Sequence, residues 1–338
     1  MIVGSDKVYA IENFYVRHLR EAGVVVDHFA AQAIFLDYYQ KSLFNKLLFK
    51  TGLSGITRGL NNQFIDKVKE LKPDTIWIFK GMELMPASLE KAKKSGAKLV
   101  NYNPDNPFIF TGKGSGNQFI TDSIGIYDLH FTYNLAIEKI LQQQYKARTA
   151  FLPFGFEISD ALYAACAGQN EIIKACFLGN PDKQRAAFIQ ALAEEGVKMD
   201  VYGNDWKQFV HHSGIQIFDP VYGDNLWKVL RRYRVQLNLM RIHNEDSHNM
   251  RSFEVPGIGG IMVAPDTTEH RLFFDDGKEA FLFKDVQHCA RQINDLLNYP
   301  VAAADEIRSA ARIRSVSSGY SYKDRAGLVL KTIQDLHG

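Results

Sequence analysis

The sequence predicts an α/β protein of two consecutive Rossmann-like domains. Each is a parallel sheet wound on both faces, with a ligand cleft at the carboxyl ends of its strands. Three observations predict it. Short apolar runs rich in β-branched residues alternate with segments of helical period, the βαβ rhythm of a parallel sheet. That rhythm starts afresh near residue 172. The chain of 338 residues is also longer than one hydrophobic core ordinarily supports.

In the first half, MIVGS is a short opening strand and residues 11–22 form an amphipathic helix. VVVDHF is the next strand, and a poorly patterned stretch separates it from a helix over 61–71. Pro73 introduces the strand DTIWIFK, and a helix over 86–95 ends at Gly96, where glycine supplies a left-handed cap. AKLVNYN and LHFTYN complete the strands, with helices between them. The break at 156–170, FEISDALYAACAGQN, reads as a hinge. Beyond it come the strand IIKACFLGN, the helix KQRAAFIQALAEEG, the strand KMDVYGN, the helix NLWKVLRRY and the strand VQLNLM. IMVAP, a helix from about Thr268, AFLFK, a helix over 286–298 and a helical tail from about Ala303 close the chain. The domains drawn this way are 1–156 and 157–315, with a C-terminal helix at about 316–338 packing back on the first.

Composition is that of an ordered globular chain, 46% hydrophobic and 23% charged, which argues against disorder. No apolar run approaches the roughly 18 residues of a spanning helix. The opening MIVGSDKVYA lacks the basic-then-apolar pattern of a signal peptide. The 3 cysteines, Cys166, Cys176 and Cys289, are widely spaced without a CxxC, which fits a reducing cytoplasm better than a disulfide framework or zinc site. Charge is uneven: residues 1–156 hold 19 Lys+Arg against 14 Asp+Glu, the remainder 21 against 24. A moderately basic first half suits an anionic acceptor or membrane headgroups, and is too weak for a dedicated nucleic-acid binder. Residues 38–65 contain no acid and set Lys41, Lys46, Lys50 and Arg58 among Leu43, Phe44, Leu47, Leu48 and Phe49. A helix there over 41–58 would either rest on a membrane surface or lipid-linked acceptor, or pack in the core with solvated lysines.

Chemistry is expected where strands end. In NMRSFEVPGIGG (249–260), Ser252 is placed to cap a short helix, with Glu254 in its first turn and Arg251 at its entrance, where Arg251 either serves an anion or is only the surface partner of Glu254. The glycines come at the far end, so they stop the helix and do not hold a phosphate. In FLGNPDKQR, the strand ends in Gly179-Asn180, and Lys183 and Arg185 open a helix whose N-terminus favours phosphate, although a surface turn with solvated basic residues has the same pattern. Gly4-Ser5 follows the first strand in the same way. TGKGSGNQ (111–118) lacks the spacing of a phosphate-binding P-loop and reads as a connection over the acceptor side. His211-His212 and the pair His243 and His248 lack the partners of a metal site.

The stretch NMRSFEVPGIGG followed by IMVAPDTTEHRLFFDDGKEAFLFKD resembles the C-terminal donor domain of GT-B glycosyltransferases. It is most similar to the group 1 type found in spore-maturation-protein (CgeB-like) enzymes. Pro256-Gly257 stands where that family has a residue of alanine type, a mild departure. The resemblance is good over roughly 172–325 and architectural over 1–156. It implies a GT-B fold and a metal-independent transferase with no cofactor, moving a hexosyl or pentosyl group from a nucleoside-diphosphate sugar. Residues 157–315 would hold the donor and 1–156 the acceptor.

By that resemblance Glu254 would accept the ribose hydroxyls and Arg251 would offset the diphosphate charge. Gly4, Ser5, Gly179, Asn180, Lys183 and Arg185 would face the phosphates. Val221 and Tyr222 would contact the base, and Arg241, His243, Asn249 and Met250 would complete the donor site. Asp246 lies eight residues before Glu254, where many retaining enzymes carry Glu, so no stereochemistry is read from it. Asp105 in YNPDNP is the first choice as general base, with Asp6, Glu12 and His130 as rivals. The acceptor is a glycan in polysaccharide biosynthesis, a lipid-linked saccharide, a protein or a modified DNA base. Two other readings share the architecture: a nucleotide-sugar epimerase, and a non-catalytic nucleotide-sugar binder.

Overall fold

A computed structural model describes residues 1–110, 116–241, 244 and 246–338. The chain forms two compact units, Met1–Pro153 with Arg325–Gly338, and Phe154–Asp324. Each is built on a six-stranded, wholly parallel sheet.

Unit 1 runs β1 (Ile2–Val3), α1 (Ile11–Glu21), β2 (His28–Phe29), α2 (Ala31–Lys41), α3 (Leu43–Lys50), α4 (Ile56–Leu71) and β3 (Thr75–Phe79). It continues α5 (Pro86–Lys93), β4 (Lys98–Asn103), α6 (Gln118–Asp122), β5 (Leu129–Thr132), α7 (Leu135–Tyr145) and β6 (Thr149–Phe151). The strand order is β2-β1-β3-β4-β5-β6. Alternation along β3 sorts its side chains between the two faces. Ile76 and Ile78 pack with Leu60, Phe64 and Val68 of α4 and Leu89 of α5. Trp77 and Phe79 meet Tyr15 of α1, with ring centroids 4.8 and 6.0 Å away. Asn134 caps α7 by accepting the Ala136 and Ile137 N–H groups.

Unit 2 runs α8 (Asp160–Cys166), β7 (Ile172–Leu178), α9 (Lys183–Glu194), β8 (Met199–Tyr202), β9 (Ile215–Phe218), α10 (Asp224–Arg232) and β10 (Tyr233–Leu237). It continues α11 (Arg251–Gly257), β11 (Met262–Pro265), α12 (Thr268–Phe273), β12 (Phe281–Phe283), α13 (Val286–Asn298) and α14 (Val301–Ser317); the last helix, α15 (Tyr322–His337), belongs to unit 1 from Arg325 onward. The order is β12-β11-β10-β7-β8-β9. One face carries α9 and α13, whose Ile189, Leu192, Ile293 and Leu296 cover Ala175, Val235 and Val263. Buried Arg234 on β10 clamps Glu171 through two 2.6 Å bonds and donates to the carbonyls of Leu296 and Tyr299.

The unit limits differ from the expected 156/157 and 315/316, for a packing reason. Phe156 bridges to Ser321, Tyr322 donates to the Phe156 carbonyl at 3.0 Å, and the Arg312 guanidinium lies 5.5 Å over the Phe156 ring. Those contacts hold residues 154–156 and all of α14 in unit 2, and the return to unit 1 begins only at Arg325. The expected hinge at 156–170 contains the helix α8, capped by Ser159 through the Leu162 N–H. Segment 111–115 lies outside the described residues. No helix among the described residues is long and apolar enough to cross a membrane.

Candidate functional site

In unit 2 the first strand, β7, is central: the chain proceeds to β8 and β9 on one side, then returns to β10 and moves outward to β12. The crevice outside the carboxyl ends of β7 and β10 is therefore the topological switch point, where open α/β sheets hold ligands. Asp182 caps α9 by accepting the Arg185 N–H at 2.9 Å, and so fixes the first turn of that helix over the crevice. The Arg185 guanidinium then reaches the other strand. It donates to the carbonyls of Leu239 (2.8 Å), Met240 (3.3 Å) and Asn180 (3.3 Å), and lies 5.8 Å over the Phe177 ring. Burial and, to a smaller extent, the neighbouring Arg241 lower its pKa to about 10, partly opposed by Asp182, so it remains cationic at neutral pH.

Arg185 opens onto a cleft of about 540 Å³, lined also by Met240, Arg241, Asp246, Asp266 and Lys284. Both acids have partners. Asp246 accepts the Thr268 N–H at 2.6 Å and its hydroxyl at 2.9 Å, acting as a cap for α12. Asp266 is gripped by Arg271 through two bonds of 2.5 and 2.6 Å, which hold its carboxyl below the usual range. Among the described residues, neither Arg241 nor Lys284 forms an ion pair. Arg185 lies 3.6 Å from the Asp182 carboxylate, so the cleft presents two cations without an ion pair, Arg241 and Lys284, beside a third that is partly offset, an arrangement suited to a polyanion.

The loop from β10 to α11 is fixed by a buried polar network. His270 donates from Nδ1 to the Pro265 carbonyl (2.8 Å), which leaves Nε2 to accept the Ser252 hydroxyl (2.8 Å). Ser252 Oγ in turn accepts from Asn238 and from the Asn249 N–H, each at 3.1 Å. The expectation that Ser252 caps the helix is corrected. Ser252 is buried inside α11, and Asn249 Oδ1 accepts the Ser252 N–H at 3.2 Å. Asn249 also donates to Asn238 Oδ1 at 2.8 Å, tying the helix entrance to the end of β10. His248 is core: its Nδ1 donates to Glu269 at 2.5 Å, and its Nε2 accepts the Phe154 N–H at 3.2 Å. Arg251, the first residue of α11, donates to the nearly buried Glu254 one turn on. This pair does not line the cleft beside Arg185.

The glycines at the far end of α11 are structural. Gly259 adopts φ +70° at the helix terminus, and a Cβ on Gly257 would stand 2.7 Å from the Phe156 ring. Gly179 is likewise occupied, its carbonyl accepting Trp206 Nε1 at 2.7 Å and its N–H donating to Tyr202 at 2.9 Å. Asn180 Oδ1 accepts the Asn204 N–H at 3.1 Å.

The structure therefore gathers Asn180, Arg185, Arg241 and Asn249 around the ends of β7 and β10, and leaves Met250 at the N-cap position of α11. It sets Lys183 apart, exposed at the start of α9. Val221 and exposed Tyr222 stand before α10, whose N-cap position is Gly223. His243 lies outside the described residues. Sequence reasoning missed Lys284, although its place at the end of the strand AFLFK is the position the strand-end rule singles out.

Unit 1 has its own switch point between β1 and β3. Ser5, after β1, donates its N–H to Glu12 Oε1 at 2.9 Å. A Cβ on Gly4 would lie 2.6 Å from that same oxygen, so any larger residue there would have to displace the Glu12 side chain. Burial raises the Glu12 carboxyl above its usual range, with the Ser5 hydrogen bond and Lys80 acting the other way. Glu83, beside it, is also raised by burial, with Lys80 lowering and Glu12 raising it. Lys80, left-handed at φ +62° after β3, donates to Asp105 Oδ2 at 2.5 Å. Asp105 sits in a turn made by Asn103 Oδ1, which accepts its N–H at 3.1 Å. His130 is removed from candidacy as a base: it is buried with Nε2 donating to the Ile124 carbonyl at 2.9 Å.

Residues 183–331 match the family model described as glycosyl transferase-like. No sequence among curated proteins matches the chain. Among solved structures, a glycosyltransferase from Rickettsia africae is similar at TM-score 0.65 and 11% identity, covering 99% of this chain and 98% of its own. The Anabaena protein HepE in complex with UDP-glucose is similar at TM-score 0.65 and 14% identity, covering 99% of each chain. Sucrose-phosphate synthase from Thermosynechococcus elongatus reaches TM-score 0.69 at 11% identity, covering 99% of this chain and 98% of its own. The chain thus has the GT-B fold of two parallel Rossmann-like sheets, with a glycosyl transferase-like domain over residues 183–331.

Proposed function

We propose that the protein is a glycosyltransferase that moves a sugar from a nucleoside-diphosphate sugar to an acceptor hydroxyl. The observation that carries this reading is the cationic cleft of Arg185, Arg241 and Lys284 at the switch point of a glycosyl transferase-like domain. Similar folds that hold UDP or UDP-glucose support a diphosphate donor. In the reaction the acceptor oxygen bonds to the anomeric carbon, the bond from that carbon to the diphosphate oxygen breaks, and the hydroxyl proton passes to a base. The nucleoside diphosphate leaves with the bonding pair. Charge builds on the diphosphate as it leaves, and fixed guanidinium and ammonium groups stabilise it most at that point. We assign this task to side chains, with no metal and no cofactor.

For the base, Glu12 suits the role better than Asp105. A base works best with its pKa raised toward neutrality. Burial raises Glu12, whereas Asp105 is committed to Lys80. Glu12→Gln should lower kcat by about 10²–10⁴-fold with KM for the donor little changed, and Asp105→Asn should cost less. The opposite ranking would return the role to Asp105. Arg251 and Glu254 stay in the proposal as a unit. Glu254 would accept ribose hydroxyls with its free oxygen while Arg251 holds the other.

The deciding experiment follows nucleotide release from a panel of nucleotide-sugars with and without an acceptor extract of glycans and lipid-linked saccharides. Release that requires acceptor, with label moving onto it, is the expected result. Interconversion of the donor sugar without acceptor would instead make the protein an epimerase, and binding without turnover a sensor.

A further inference from the structure

The helix α3 carries an exposed apolar face that the donor chemistry does not use. Ser42 caps it through the Asn45 N–H at 3.0 Å, and none of its residues is buried. One side is anchored: Phe49 packs edge-on to Phe35 and Tyr39 at 4.9 and 5.7 Å, and Asn45 donates to the Tyr38 carbonyl at 2.8 Å. The other side is open, with Leu43 82%, Phe44 65% and Leu47 58% exposed, and Leu53 76% exposed just beyond the helix. At 3.6 residues per turn, Lys50, Leu43, Leu47 and Phe44 span an arc of about 120° on that open side. Lys46 flanks the arc, its ammonium 5.8 Å over the Tyr39 ring, and Lys41 precedes the helix. Residues 38–65 contain four basic side chains and no acid.

We propose that α3 docks the protein on an anionic phospholipid surface, with Leu43, Phe44, Leu47 and Leu53 entering the interface and Lys41, Lys46 and Lys50 meeting the headgroups. A helix lying in the plane of a bilayer needs this combination of bulky apolar residues bordered by lysines. Charge complementarity selects the occupant. A second copy of this chain, paired about a twofold axis, would set the basic segment against itself with no acid to offset it. A lipid surface bearing negative charge meets both the apolar and the basic part at once. The inference stands apart from the donor reading, since α3 belongs to unit 1 and uses none of the cleft residues.

The test is flotation of the full chain with vesicles of phosphatidylcholine alone or containing phosphatidylglycerol. The protein should float with the anionic vesicles only, and less as salt rises. Replacing Lys41 and Lys50 by Gln should weaken partition about fivefold per charge removed. Leu43→Glu with Leu47→Glu should abolish it while leaving the thermal melt unchanged, because both side chains are exposed. Three results would overturn the proposal: no flotation at low salt, equal flotation with both vesicle types, or full flotation of the Leu43/Leu47 variant. A solution dimer that the same variant dissociates, with no vesicle binding, would make the face a contact between copies and overturn it as well.

Discussion

At the scale of residues, Arg185 joins the two strand ends that make the cleft. Its fork is spent on three carbonyls, so its role is to hold charge and geometry together. A lysine keeps the charge but cannot keep that geometry. Arg185→Ala should weaken nucleoside-diphosphate binding by about 10–100-fold and Arg185→Lys by less, measured by titration calorimetry. Equal affinity in all three proteins would remove Arg185 from the donor site. Gly203 makes a purely structural prediction. A Cβ there would stand 2.3 Å from the Gly179 carbonyl oxygen and 2.8 Å from the Trp206 nitrogen that bonds it. Gly203→Ala should therefore lower the urea midpoint, at a cost of about 1–3 kcal/mol and with an unchanged slope. The sequence made Arg185 readable, because a basic residue just after a strand end and an Asp cap is a local pattern. It left the pairing of Arg251 with Glu254 as one of two readings, and it did not reveal that Asp105 meets Lys80. The second partnership joins residues that are neighbours only once β3 and β4 lie side by side.

At the scale of elements, α11 and α12 are joined through a histidine that must be neutral. His270 spends one ring nitrogen as donor and the other as acceptor, so a second proton would break its bond from Ser252. Burial is the main cause of its low pKa of about 4, against an ordinary 6.5. Between those values the unfolded chain binds a proton that the folded one refuses. Stability from this group is therefore complete above 6.5 and lost as pH falls toward 4, by an amount on the order of 3 kcal/mol. Urea melts of the wild type and His270→Gln across that window should show a steeper fall in the wild type. Parallel curves would show that His270 does not couple folding to pH. Long helices and central strands were legible from period and caps, as with the helices expected over 11–22 and 286–298. The edge strands β6 and β9 were not, being only three and four residues long. Of the pair α2 and α3, α3 was expected as part of a longer helix over 41–58, whereas α2 was hidden in a poorly patterned stretch.

At the scale of the whole molecule, two parallel sheets with a ligand crevice at the switch point of each follow from the βαβ order that the sequence displays. Fold of this kind was readable because it depends on pattern repeated over hundreds of residues. Function was readable only as far as the cluster NMRSFEVPGIGG, whose glycines prove to end a helix and pack against Phe156. The cleft cations come from three separate strand or helix ends, a convergence that only the folded chain makes visible. The most direct test is the thermal stability of the full chain against a panel of nucleoside diphosphates and their sugars. At a ligand concentration near 100 times Kd, one nucleotide series should stabilise the protein by about 2.7 kcal/mol. The Arg185→Ala, Arg241→Ala double variant should lose that gain, measured against its own lower melting point without ligand, since Arg185 also ties the two strand ends together. Absence of any stabilising nucleotide, or full stabilisation of the double variant, would contradict the donor site described here.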